Sequence, residues 1–154
     1  MKPNPIPDDK QGATPYLQCR NAAGAIAFYQ QAFGATELMR MAMPDGKIGH
    51  AEIKIGSAHI MLADEFPEMG LLGPQSIGGS PVTVLIYVED VDGLVARAVA
   101  AGAKVLSPLA DQFYGDRNCK LCDPSGHLWM FATRKEDVSI AEQLQRAAVL
   151  FAAK

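Results

Sequence analysis

The sequence predicts an α+β fold built from two copies of a βαβββ module. One observation is an internal repeat of like residues, and the other is that each half contains a helix preceded by one strand and followed by three. Thr14 and Thr83, and Gly24 and Gly93, lie 69 residues apart, whereas Gly34 and Gly102, and His59 and His127, lie 68 apart.

The first module covers residues 13–64 and is expected to hold one helix. Asn21 is a suitable N-cap, apolar residues recur at helical spacing from Ala22 to Phe33, and Gly34 stands where a glycine commonly ends a helix. Pro44-Asp-Gly-Lys47 is typical of a hairpin turn. Strands are predicted at 16–20, 36–43, 48–55 and 59–64.

The second module covers residues 82–134 and follows the same order. Asp90 is the expected N-cap of a helix that carries Val91, Leu94 and Ala98 on one side and ends at Gly102. Its strands are predicted at 83–88, 104–109, 118–123 and 127–133.

Three segments lie outside the modules. Residues 1–12 are polar and proline-rich, and predict a loose arm. Residues 65–81 are too rich in Gly and Pro for a regular element, and are read as a linker that flanks the ligand site. Residues 135–154 predict an amphipathic helix that needs its own sheet or a partner subunit to cover it. Its apolar stripe is Ile140, Leu144, Ala148 and Phe151.

The composition limits the classes of function. Hydrophobic residues make up 49% of the chain and charged residues 20%, which is enough to build a core. The formal net charge is −3, and Lys and Arg do not cluster, so we expect no nucleic-acid partner. There is no membrane-length apolar run and no apolar leader, which favours a cytoplasmic protein.

The three cysteines, Cys19, Cys119 and Cys122, fit reduced thiols in that compartment. Cys119-Lys-Leu-Cys122 has the spacing of a redox or zinc motif. In an extended segment, however, residues three apart point to opposite faces, so two separate half-buried thiols are the simpler interpretation.

Six motifs, in order, resemble the vicinal oxygen chelate superfamily, and within it the PhnB-like branch. That superfamily includes glyoxalase I, extradiol dioxygenases, fosfomycin-resistance transferases and bleomycin-resistance proteins. The resemblance covers residues 13–137. It implies that each module curls into an open, partly closed barrel with a concave face lining a cavity, and that the protein is a homodimer. The motifs are Ala-Ile-Ala-Phe-Tyr-Gln-Gln-Ala-Phe-Gly-Ala (25–35), Gly-His-Ala-Glu (49–52), Met-Leu-Ala-Asp-Glu (61–65), Tyr-Val-Glu-Asp-Val-Asp (87–92), Phe-Tyr-Gly-Asp-Arg (113–117) and Asp-Pro-Ser-Gly-His-Leu-Trp (123–129).

In metal-dependent members of the superfamily, the ligands come from the first and last strands of each module. Carried over to this chain, those positions are Thr14, Met61, Thr83 and Met130. Two hydroxyls and two thioethers provide no carboxylate and no imidazole, so they do not suit zinc, nickel, magnesium or iron. We therefore expect no metal and no other cofactor, and a lining of methionines instead.

Strand alternation selects the other candidates for the cavity. On the strand of Thr14, Tyr16 and Gln18 are expected to share the concave face. His50 and Glu52 lie two apart on a strand whose alternate residues Ala51, Ile53 and Ile55 fit the helix side. These two are acid–base candidates, or else a satisfied structural pair. By the same parity, the remaining ligand-binding candidates are His59, Leu85 and Tyr87. Met39, Met41 and Met43 line the cavity or fill the core.

The loop Phe113-Tyr-Gly-Asp-Arg117 completes the candidate set. Phe113 and Tyr114 are expected over the cavity mouth, where Arg117 would bind an anionic ligand. The alternative is a surface ion pair between Arg117 and an aspartate that only holds the loop. His127 follows the turn glycine and is expected to be structural.

The sequence leaves three functions open. The first is a metal-free cavity that binds a small organic molecule without changing it. The second is a metal-independent or metal-recruiting lyase, isomerase or transferase that uses His50 and Glu52. A protein whose cavity only regulates a partner is a third reading. The fold does not choose between them, because one scaffold of this kind supports many activities.

Overall fold

A computed structural model of the chain describes residues 3–10 and 12–153. The first module holds one long helix and four strands, and the second repeats this order. The strands are β1 (Tyr16–Cys19), β2 (Thr36–Ala42), β3 (Ile48–Ile55), β4 (Ala58–Asp64), β5 (Thr83–Tyr87), β6 (Lys104–Asp111), β7 (Asp116–Cys122) and β8 (Leu128–Arg134). The helices are α1 (Ala22–Phe33), α2 (Pro74–Ile77), α3 (Val91–Ala100) and α4 (Ile140–Ala152).

The eight strands form two four-stranded sheets of identical topology. Their orders are β1-β4-β3-β2 and β5-β8-β7-β6. The first strand of each module pairs in parallel with the last, and the remaining neighbours are antiparallel. The predicted α+β class and the paired βαβββ modules are confirmed. The sheets stay open and do not close into barrels.

The repeat extends to the start of each long helix. The side chain of Asn21 accepts a hydrogen bond from the Gly24 amide, and Asp90 does the same for the Gly93 amide. The last strand adds a second acceptor, since Asp64 binds the Ala22 amide and Thr133 binds the Val91 amide. These acceptors satisfy amides that a helix leaves unpaired at its first turn.

One face of each sheet packs against the helices and forms a common core. Leu17 and Cys19 are buried on β1, as are Ala51, Ile53 and Ile55 on β3, in agreement with the predicted parity. Aromatic rings join the modules across this core. The ring contacts link Tyr29 and Phe33 of α1 with Trp129 and Phe131 of β8.

A buried carboxylate in the turn before β8 fixes that junction. Asp123 accepts hydrogen bonds from the Tyr29 hydroxyl at 2.6 Å and from Trp129 Nε1 at 2.8 Å. It also accepts from the backbone amides of Ser125 and His127. His127 Nε2 in turn donates to the carbonyl of Gln18 at 3.0 Å, so this histidine has a structural contact of its own.

Several boundaries differ from the sequence predictions. The linker includes a 3-10 turn, Pro67–Met69, and the short helix α2, because Pro67 and Pro74 each start a turn and Gly70 and Gly78 end them. Strands β6 and β7 are longer than expected, so only residues 112–115 connect them. Cys119 is buried on the helix side and Cys122 is half-buried, and all three cysteines are free thiols. Over the described residues, the helices fall short of the length and apolar character of a membrane span.

We predict that Asp123→Asn lowers the free energy of unfolding by about 2–3 kcal/mol. The amide NH₂ group would replace one carboxylate oxygen, so the two N–H or O–H groups that donate to that oxygen would lose their acceptor. Urea denaturation measures the change. Asp137→Asn is the matched control, since the Asp137 side chain is 95% exposed. A loss of less than about 0.5 kcal/mol in Asp123→Asn would contradict the assigned role of this carboxylate.

Candidate functional site

The face of the first sheet that points away from the helices carries a continuous row of candidate side chains. The strand register sets Tyr16 beside Met61, Met61 beside Glu52, and Glu52 beside Met39. His50, paired with Met41, lies on the same face one step along β3. Alternation along the strands explains the arrangement, because the intervening residues are buried against the helices.

Along this row, four strand side chains and Lys10 form one polar network, which we call the Glu52 cluster: Lys10, Tyr16, His50, Glu52 and His59. The Tyr16 hydroxyl lies 2.7 Å from His50 Nδ1, and His50 Nε2 lies 3.2 Å from Glu52 Oε1. His59 Nε2 is 2.6 Å from Glu52 Oε2, which also accepts a hydrogen bond from Lys10 Nζ at 3.2 Å. A single carboxylate therefore holds two imidazoles and an ammonium.

The cluster favours a charged carboxylate and a protonated phenol. Burial alone would raise the pKa of Glu52, but hydrogen bonds from His50, Lys10 and His59 outweigh it and lower the pKa to about 2. Burial and then the charge of Glu52 raise the pKa of Tyr16, so its hydroxyl remains a donor. In the arrangement that this favours, Tyr16 donates to Nδ1 of His50, and Nε2–H of His50 donates to Glu52.

The N-terminal arm reaches this cluster. Residues 1–12 were expected to be loose, and residues 1, 2 and 11 lie outside the described part of the chain. The structure places Asp9 and Lys10 against β3 and β4. Asp9 Oδ2 lies 3.1 Å from Lys10 Nζ and 3.9 Å from His59 Nδ1. Sequence reasoning missed Lys10, because an irregular proline-rich segment has no periodicity to place its side chains.

The second sheet carries a matching but less connected row. Leu85 lies beside Met130, Met130 beside Lys120, and Lys120 beside Ser107. The next residues along the strands are polar. The Tyr87 hydroxyl donates to Asp116 at 2.5 Å, and Asn118 Nδ2 donates to the Tyr114 hydroxyl at 2.8 Å. Asp116, Asn118 and Lys120 were not among the residues predicted from the sequence. Alternation along the predicted strand 118–123 would have selected Asn118 and Lys120, whereas Asp116 lay outside that strand.

The superfamily's metal positions can now be tested on the structure. Tyr16, and not Thr14, is the direct neighbour of Met61, and Leu85, and not Thr83, is the direct neighbour of Met130. Either choice supplies hydroxyl, thioether and alkyl groups but no imidazole or carboxylate. This donor set does not fit the divalent ion that the superfamily's metal enzymes use.

Of the two placements left open for Arg117, the structure shows the surface ion pair. Its Nε and Nη2 donate to the two carboxylate oxygens of Asp92 on α3, both at 2.8 Å, and Nη1 donates to Asp111 at 3.2 Å. Because β7 begins at Asp116, Arg117 follows strand alternation onto the helix side and forms the surface ion pair. Phe113 contacts Phe151 of α4, which places it beneath the C-terminal helix.

The comparisons identify the family. The Glyoxalase/Bleomycin resistance protein/Dioxygenase superfamily matches residues 13–131, and the chain belongs to it. An uncharacterized protein of Mycobacterium bovis is 42% identical over 132 residues, covering 84% of this chain and 87% of that protein. The crystal structure of TioX from Micromonospora sp. ML1 has a TM-score of 0.63 at 28% identity, and covers 80% of this chain and 99% of TioX.

The fold is also shared with a more distant protein. A PhnB protein from Bacillus cereus, described as a putative 3-demethylubiquinone-9 3-methyltransferase, aligns with a TM-score of 0.61 at 16% identity. The match covers 80% of this chain and 99% of that one.

We predict that Glu52→Gln destabilises the protein by about 1–2 kcal/mol at pH 6 and that this difference shrinks as the pH falls. The folded-state pKa of about 2 lies below the ordinary 4.5, so the ionised carboxylate stabilises the fold above pH 4.5 and loses this effect toward pH 2. Urea denaturation of both proteins from pH 6 to 3 measures the difference.

Glu68→Gln removes one exposed carboxylate as a control, and should change stability by less than about 0.5 kcal/mol at pH 6. A Glu52→Gln difference that is constant or grows on acidification would refute the proposed charge state of the cluster.

Proposed function

We propose that this protein binds a small, partly aromatic organic molecule on the concave faces of its sheets, without a bound metal. The observation that carries the proposal is the row of Tyr16, Met61 and Met39 with the Glu52 cluster set among them. An apolar, adaptable surface with a few fixed polar groups at one place is what a small-molecule site requires.

The chemistry of the lining supports this reading. Thioethers adapt to irregular ligand shapes, and a tyrosine ring offers a flat apolar face with a polar end. Met61 and Met130 occupy matching places in the two sheets, so each concave face carries a methionine at the same position. Thr14, Gln18, His59, Thr83, Leu85, Tyr87 and Tyr114 are the further residues that we propose for ligand contact.

Membership of a superfamily that includes bleomycin-resistance proteins fits binding without turnover. We also propose, on the six motifs, that the chain belongs to the PhnB-like branch. Three free thiols, two of them buried, are compatible with a reducing cytoplasm, which is the compartment that we propose.

A ligand on the concave faces should change the signals of the methionines that line them. In protein labelled with ¹³C at the methionine methyls, we expect hits from a library of aromatic antibiotics and small anions to shift the Met39, Met61 and Met130 resonances. Met69, which is 69% exposed in the linker, is the internal control and should not move. Hits that shift Met69 alone, or a library without any hit, would count against the concave-face site.

A second candidate function is acid–base catalysis, and the Tyr16–His50–Glu52 chain of hydrogen bonds favours it. An imidazole oriented by a carboxylate can take or give a proton at its other nitrogen, and Tyr16 would pass that proton to a bound oxygen. If the protein is a lyase, isomerase or transferase of this kind, we expect His50→Gln to abolish product formation and to retain ligand binding. A protein that only binds its ligand forms no product in either variant.

We further propose that the partner is a second copy of the chain. Apolar side chains on the concave faces are solvent-exposed in a single chain, including Tyr16 at 49% and Tyr87 at 55%. The stripe of α4 is more exposed still, with Ile140 at 77% and Leu144 at 67%. Exposed apolar groups of this number are typical of an interface.

We expect light scattering to give the mass of a dimer, and Leu144→Glu to shift the protein toward monomer by adding a charge to the apolar stripe. Gln145→Glu is the matched control, because it adds the same charge to a neighbouring exposed position. A monomer at every concentration, or equal effects of the two substitutions, would exclude α4 as the interface.

A further inference from the structure

We propose that the Glu52 cluster is a binding site for a primary ammonium group, that Lys10 is its internal occupant, and that the ligand of the concave face carries an alkylammonium that replaces Lys10. This inference rests on the proposed binding function and adds the chemical class of the ligand.

The geometry around Lys10 Nζ is that of an ammonium site. The nitrogen lies 3.2 Å from Glu52 Oε2 and 3.1 Å from Asp9 Oδ2, so it bridges two carboxylates. Glu52 already accepts from His50 and His59, yet one of its oxygens still takes this further donor. The Glu52 side chain is 16% exposed, which makes the charge interaction stronger than at an open surface.

The Lys10 ammonium is held by a segment that can leave. Next to Lys10, Asp9 approaches His59 at 3.9 Å, and the Asp9 side chain is 62% exposed. Exposed ion pairs of this kind contribute little to stability. A ligand ammonium that takes the position of Lys10 Nζ also donates a hydrogen bond to Glu52. A neutral ligand that displaces Lys10 leaves the Glu52 carboxylate without this cation.

A second observation points to a ligand that donates hydrogen bonds. Among the described residues, Oε1 of Gln18 is buried and has no hydrogen-bond partner. Gln18 follows Tyr16 by two residues on β1 and therefore shares the concave face. Buried polar atoms are rarely left unpaired, so this acceptor lacks a donor that an N–H group of the ligand would supply.

A divalent cation is the competing occupant of the same place. One donor atom each from Asp9, Glu52 and His59 lies within 4.8 Å of the others. We favour the ammonium because the cluster already contains one, at hydrogen-bonding distance from both carboxylates. The resulting ligand is an aromatic or alkyl amine whose cation meets Glu52 and whose apolar part lies on Met61 and Tyr16.

The test compares two probes of nearly equal shape, 2-phenylethylamine and 2-phenylethanol, titrated at pH 7 into protein with ¹³C-labelled methionine methyls. For wild type we expect the amine to shift Met61 and the alcohol to bind more weakly. Lys10→Met removes the internal competitor and keeps the aliphatic stem, so the amine should bind about tenfold more tightly. Glu52→Gln should abolish the preference for the amine over the alcohol.

Lys104→Met is the matched control, because it removes an exposed lysine from the other sheet and should leave the amine affinity unchanged. If Lys10→Met binds the amine no more tightly than Lys104→Met does, or if the alcohol binds as well as the amine, the ammonium assignment is wrong while a concave-face binding site stands.

Two further outcomes would also overturn the assignment. One is that neither probe shifts Met61 in any variant, in which case the wider ligand screen decides on the binding function separately. The other is that ZnCl₂ alone shifts Met61 in wild type, is reversed by EDTA and is lost in Glu52→Gln, which would make the cluster a metal site.

Discussion

The buried carboxylate of Asp123 is the constraint on which the arrangement of the two modules depends. It accepts a hydrogen bond from Tyr29 in the first module and another from Trp129 in the second, in a region from which water is excluded. Because a buried carboxylate is stable only when donors surround it, the two modules must meet at this point in one orientation. The aromatic packing around it then sets how the two concave faces are presented.

The two modules share one framework but differ in their polar chemistry. The helix starts retain equivalent acceptors, Asp64 and Thr133, at a spacing of 69 residues. On the concave side the equivalence ends, since Glu52 beside Met61 corresponds to Lys120 beside Met130. The framework preserves the packing, while the concave positions are free to differ because the core does not depend on them.

Strand parity accounts for most of what the sequence could predict. Alternation identified the buried residues of β1 and β3, and it placed His50 and Glu52 together because two residues on one strand share a face. It was not applied to Arg117, since the sequence did not show that β7 begins two residues earlier than expected. Lys10 was out of reach for another reason: its position depends on a contact between an irregular arm and a distant strand, and no local pattern encodes such a contact.

The chain has a single tryptophan, and the location of this residue determines which structural change its fluorescence follows. Trp129 is fully buried, stacked near Phe131 and hydrogen-bonded to Asp123 at the junction of the modules. Its fluorescence therefore follows the separation of the two halves from each other. A ligand on the concave faces would lie on the opposite side of the sheet from Trp129, and would leave the emission of this indole largely unchanged.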